Sequence, residues 1–143
     1  MKTVFISGHL DLTEEEFNEH YRPIILNAWC WCASFVLGDA RGADAMVQRY
    51  LRSLIDSNPD NDGGLIVVYH MFDKPRHNMG FMTVAGFQTD DERDAAMTAT
   101  SDLDIAWVRP GREKSGTAKN LARREVKNAA LEVKKASTLV TKG

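Results

Sequence analysis

The sequence predicts an α/β fold, a parallel sheet of four to five strands with helices on both faces. Two observations lead there. Short apolar runs at 3–7, 34–37, 65–69 and 103–108 have the length and composition of buried strands, and helical patterns separate them. Two of these runs, 34–37 and 103–108, lead through a glycine-bearing loop into a helix, which aims backbone N–H groups and a helix N-terminus at an anion.

The first run holds Thr3, Val4, Phe5 and Ile6, β-branched or aromatic throughout, and Gly8-His9-Leu10-Asp11 ends it. Thr13 and Glu16 form a capping box, after which Phe17, Tyr21, Ile25 and Trp29 share one helical stripe. Pro23 clashes with the carbonyl of Glu19 in a continuous helix, so the helix kinks or restarts there. The helix after Gly42 places Met46, Val47, Tyr50, Leu51, Leu54 and Ile55 at i, i+3, i+4 spacing, and Asn58 to Gly64 breaks it. The run at 65–69 reads as a strand covered on both faces. Residues 71–88 read as a long ordered loop with room for a short strand, because their apolar residues alternate with turn-formers. Thr89 and Glu92 cap a helix through Ala99, and a last helix follows the 109–116 loop.

One domain over 1–136 with a loose tail at 137–143 is expected from 143 residues with 43% hydrophobic and 27% charged content. No run approaches bilayer-spanning length and residues 1–12 lack a signal-peptide pattern, so a cytoplasmic location without membrane association is expected. Cys30 and Cys32 flank Trp31 and read as buried reduced thiols, since the four histidines offer no ligand spacing; neither metal nor cofactor is expected. The net charge of −2 hides an asymmetry. Residues 112–143 carry nine Lys/Arg against three Asp/Glu, while 1–111 carry nine against seventeen. The basic end attracts phosphate or is a solvated helix face, and the acidic remainder argues against duplex DNA as partner.

In Gly38-Asp39-Ala40-Arg41-Gly42-Ala43-Asp44, Gly38 and Gly42 permit sharp turns and close approach, Arg41 offers a planar fork for phosphate, and Asp39 and Asp44 accept from hydroxyls. The same residues also suit an ordinary βα turn. In Gly111 to Thr117, Gly116 permits close approach while Ser115 and Thr117 donate, unless one of them simply caps the helix. Parallel strands gather both loops, with Ser7, Gly8 and His9, at one sheet edge, where ligands of such sheets bind.

Taken in order, GxARGAD at Gly38–Asp44, RDxxM at Arg93–Met97, an apolar strand and a Gly-Thr loop entering a helix resemble the SLOG superfamily, over roughly Val4 to Arg124. These are Rossmann-like domains related to the lonely-guy phosphoribohydrolases and DNA-processing protein A, and the likeness is to the small stand-alone branch. The resemblance implies a Rossmann-like three-layer sandwich and a nucleotide-derived ligand, and it leaves a homodimer or a protein partner open. The candidate ligand-binding residues are Ser7, Gly8, His9, Gly38, Asp39, Arg41, Gly42, Asp44, Arg93, Gly111, Ser115, Gly116 and Thr117. Asp94 stands where this branch usually has Asn. Cleaving an N-glycosidic bond needs a carboxylate near the anomeric carbon, for which Asp39, Asp44 and Asp94 are the candidates, with Glu113 more remote. The PGGxGTxxE pattern of the lonely-guy enzymes is incomplete, because Asn120 replaces its glutamate. The expectation is therefore a module that senses or sequesters a nucleoside phosphate or an ADP-ribose-like molecule. An N-glycosidase and a protein-interaction module using the 71–88 loop are the alternatives.

Overall fold

Strand β1 (Thr3–Ile6) is hydrogen-bonded on both sides, to β2 (Ser34–Leu37) and to β5 (Leu103–Ile105). With β3 (Ile66–Met71) and β4 (Met82–Phe87) they form one five-stranded, wholly parallel sheet in the order β4-β3-β2-β1-β5. A computed structural model describes residues 2–61 and 63–142, of which 137–142 by backbone alone. Five helices flank the sheet: α1 (Glu14–His20), α2 (Arg22–Cys30), α3 (Ala43–Ser57), α4 (Asp90–Thr100) and α5 (Gly116–Lys142). The result is a Rossmann-like three-layer sandwich. The expected tail at 137–143 falls where side chains, and Gly143 altogether, lie outside the described residues. No described helix is long and apolar enough to cross a membrane.

The two-residue period of the strands divides the core. Val4, Ile6, Phe35, Leu37, Ile66 and Val68 pack against Phe17, Tyr21, Ile25, Trp29, Val47 and Leu51 of α1, α2 and α3. Phe5, Val36 and Tyr69 point the other way, toward Met97 of α4. On that second face Asp104 of β5, beside Phe5, has a side chain only 5% exposed and accepts from Arg124 Nε at 3.1 Å and Nη2 at 2.9 Å, which docks α5 on the sheet.

Local rules place the helix ends. Thr13 and Glu16 complete the capping box. The helical segment breaks at Tyr21 and restarts with Pro23 in its first turn, where a missing N–H costs nothing. At α4, Thr89 caps Glu92, but Glu92 returns its bond to Gln88 N–H at 3.1 Å instead of closing the box on Thr89.

Residues 71–88 hold the short strand that their pattern leaves room for: Met82–Phe87 form the edge strand β4, and residues 72–81 are the connecting loop. Two expectations need correction. Cys30 and Cys32 are exposed, because α2 ends at Cys30 and the chain turns at the surface between Trp29 and Ala33, which keep the core positions. Strand β5 ends at Ile105 rather than 108, and Trp107 is only partly buried, stacked on His20 with ring centroids 4.0 Å apart.

Tyr21 causes that early exit. Its hydroxyl donates to Ser7 C=O at 2.7 Å and accepts from Trp107 N–H at 3.0 Å, so the chain after β5 bonds a side chain instead of a strand. Tyr21 is fully buried, and burial pushes its phenol up to about 12. Tyr21→Phe strips both backbone groups of their partner and is expected to lower stability in urea denaturation by about 1–3 kcal/mol. An unchanged midpoint would mean that water replaces the hydroxyl at this junction.

Candidate functional site

The chain runs from β1 through β2 and β3 to β4 on one side and returns to place β5 on the other side of β1. Strand order therefore reverses between β1 and β5, and the loops leaving these two strands diverge to open a crevice. A cleft of about 460 Å³ lies there. Its walls come from the loop after β1 (Ser7 to Asp11), the loop after β2, the exposed start of α4 and the N-terminus of α5.

Asp39, at the start of the loop after β2, anchors the floor. It is 1% exposed and accepts from Arg93 Nη1 at 2.8 Å, Arg76 Nη2 at 2.8 Å and the Arg76 backbone N–H at 2.7 Å. Burial raises its pKa, but the Arg76 bonds outweigh it and hold the carboxyl below its ordinary range. Arg93 in turn donates from Nε at 3.1 Å and Nη2 at 3.0 Å to Asp94, fixing both side chains. Asp94 also accepts from Asn120 Nδ2 at 3.1 Å, tying α4 to α5. A glutamate at position 120 would set a second carboxylate against Asp94, so Asp94 and Asn120 suit each other as a pair.

Gly38 is glycine for steric reasons. A Cβ there would lie 2.6 Å from Asp44 Oδ2 and 2.9 Å from the Arg93 guanidinium carbon. Asp44 accepts from Ala40 N–H at 3.1 Å and is buried in the first turn of α3. Desolvation pushes its pKa up to about 7, against the pull of Arg93. Burial thus favours the protonated form of this carboxyl in the wall of the cleft.

The opposite wall depends on Arg109. Its guanidinium bonds Glu16 Oε2 at 2.8 Å and Oε1 at 2.6 Å, and its backbone N–H bonds His9 Nε2 at 2.8 Å. That bond leaves the His9 proton on Nδ1, and burial followed by the charges of Arg109 and Arg112 holds the ring neutral. Arg112 bonds Asp11 at 2.7 Å.

No protein-family model, curated protein or solved structure matches this chain.

Of the residues expected at the site, Ser7, Gly8, His9, Gly38, Arg41, Asp44, Arg93, Asp94, Ser115, Gly116 and Thr117 line the cleft together. Asp39 lies beneath it as the arginine anchor. Gly42 and Gly111 serve backbone geometry instead. Gly42, at φ 74°, lies against the Leu10 carbonyl, where a Cβ would come within 2.2 Å, and Gly111 turns the 109–112 loop at φ 90°. Glu113 bonds Gly111 N–H at 3.0 Å, outside the cleft. Sequence reasoning missed Arg76, Asp90, Arg112, Phe5 and Met97. Lys74-Pro75-Arg76, the one basic cluster within 71–88, was a usable signal for Arg76.

At α5 the N-cap and the open donors coexist. Ser115 Oγ accepts from Ala118 N–H at 3.2 Å, and Ser115 C=O accepts from Lys119 N–H at 3.1 Å. The N–H groups of Gly116 and Thr117, in the first turn and lining the cleft, have no acceptor among the described residues.

Because Asp44 holds its proton more tightly folded than unfolded, its contribution is full below its unfolded pKa and is lost as pH rises through about 7. The stability of the wild type relative to Asp44→Asn, by urea denaturation across a pH series, should therefore fall between about pH 4 and pH 7 and level off above. The fall should be on the order of a few kcal/mol. A flat difference would mean that Asp44 stays ionised when folded.

Proposed function

We propose that this chain binds a nucleotide or nucleotide-derived small molecule, a nucleoside phosphate or an ADP-ribose-like compound, in the cleft between β1 and β5, and acts as a sensor or sequestering module. The observation that carries the reading is the pair of unpartnered N–H groups at Gly116 and Thr117, at the positive end of a long helix. A phosphate on these donors leaves the sugar hydroxyls opposite Asp44 and Asp94, which accept hydrogen bonds. The motif order that resembles the SLOG superfamily supports the same reading, and we propose membership of it on that ground. A cytoplasmic setting fits such a ligand.

One observation favours the N-glycosidase alternative: Asp44, raised to about 7, has the pKa of a general acid or base. The other candidate carboxylates are committed, Asp39 to two arginines and Asp94 to Arg93 and Asn120. A glycosidase would have to stabilise a cation-like sugar with Asp44 alone, against the charge of Arg93. Binding without cleavage is the better-supported reading.

A Cβ at Gly116 meets nothing within 4 Å in the protein, so Gly116→Val fills ligand space and not core. Calorimetry with a panel of nucleoside phosphates is expected to show binding to the wild type and a loss of at least about tenfold in Gly116→Val, about 1.4 kcal/mol. The thermal melt should stay unchanged. Equal affinity in both would move the site away from α5.

Incubated for hours with the protein, 5′-AMP and ADP-ribose are expected to return intact by chromatography. Free base that appears with the wild type and disappears with Asp44→Asn would make the protein an enzyme with Asp44 in the proton-transfer role.

A further inference from the structure

Beside the main cleft lies a second cavity of about 490 Å³, and the two share Leu10, Ala40, Arg41 and Arg76 in their walls. Its remaining wall is built by Ala45, Arg49 and His77, with Asp39 beneath. Arg41, Arg49 and Arg76 thus line one cavity, and the only carboxylate in its wall, Asp39, is already taken by Arg76 and Arg93. Arg41 and Arg49 pair with no carboxylate among the described residues. Arg41 precedes α3, and Ala45 and Arg49 stand one turn apart on the helix, so the small Ala45 leaves a gap between two like charges. His77 adds a buried Nε2 that has no hydrogen-bond partner. Its backbone is held in place, since its C=O accepts from Gln48 Nε2 at 3.1 Å.

Like charges that share a cavity without acids of their own, as Arg41 and Arg49 do, repel one another unless an anion sits between them, and guanidinium forks match phosphate oxygens in pairs. We propose that this cavity is a second anion subsite, and that the ligand is a nucleotide carrying two separate phosphate groups, one at the α5 N-terminus and one among Arg41, Arg49 and Arg76. The inference rests on the nucleotide reading for the identity of the ligand, but the subsite itself rests on the arginine cluster. The shared wall of Leu10, Ala40, Arg41 and Arg76 is the bridge along which a single molecule reaches both.

The test compares 5′-AMP with adenosine 3′,5′-bisphosphate by calorimetry, on the wild type and on Arg49→Ala. Arg49 is exposed and lines only the second of the two cavities, so its truncation spares the main cleft and the fold. The bisphosphate is expected to bind the wild type at least about tenfold more tightly than AMP, and R49A should erase that advantage while leaving AMP affinity within about twofold. Equal affinities in the wild type, or an advantage that survives R49A, would overturn the subsite and leave the nucleotide reading standing. Inorganic tripolyphosphate, followed by phosphorus NMR line broadening, probes the arginines without a nucleoside. Broadening by the wild type that is lost in R49A supports the subsite even if AMP fails to bind. Where AMP does not bind, the absence of broadening by the wild type removes the subsite.

Discussion

Asp39 held between Arg76 and Arg93 is the interaction on which the site depends. A carboxylate with almost no solvent contact is tolerable only when its lone pairs are filled, and here one backbone N–H and two guanidinium groups fill them. The three partners come from the end of β2, the 72–81 loop and α4, elements that local sequence does not bring together. Because Arg93 also holds Asp94, and Asp94 holds Asn120, the same network reaches α5. The position of the α5 N-terminus relative to the β2 loop is therefore set by a chain of charged contacts and not by apolar packing.

This network explains the composition of the β2 loop. Gly38 leaves room for Asp44 and the Arg93 guanidinium, and Gly42 adopts a left-handed turn against the Leu10 carbonyl so that α3 starts under the β1 loop. Ala43 N–H then bonds His9 C=O at 3.1 Å, which joins the first and second loops of the edge. Tyr21 and Arg109 do the corresponding work on the other side, where the chain leaves β5. The walls of the cleft are thus cross-braced by side chains, while the N–H groups of Gly116 and Thr117 and the Arg41 side chain find no partner among the described residues.

Much of the fold was legible because it follows from periodicity. The stripe Phe17, Tyr21, Ile25, Trp29 is buried as its spacing requires, and four strands lie where apolar runs meet glycine turns. Strand β4 was legible only as room for a short strand within 71–88, since residues 82–86 are all exposed and an edge strand needs backbone bonds on one side only. Gly80 and Gly86 at its ends made the segment look like loop. The cysteines were misjudged for a related reason: residue type favours burial, but the turn geometry after α2 decides it. Within the site, the loop residues were legible from their glycines and charges. Their partners were not, because Arg76 lies 37 residues from Asp39, and the backbone N–H that fixes the His9 tautomer lies 100 residues from it.

The charge accounting of the cleft bears on binder versus catalyst. Asp11 is taken by Arg109 and Arg112, Asp90 by Arg76 and Arg93, and Asp94 by Arg93 and Asn120. Burial pushes the Asp44 carboxyl toward its neutral form, which reduces the negative charge it adds. With its acids internally matched, the cleft leaves Arg41 and the N–H groups at the start of α5 without an acid partner among the described residues. A catalyst of glycosidic cleavage needs the reverse, a free carboxylate close to a developing positive charge. The salt-bridge network that braces these walls consumes the groups that such chemistry would require, and this is what supports the proposal of a binder over that of a catalyst.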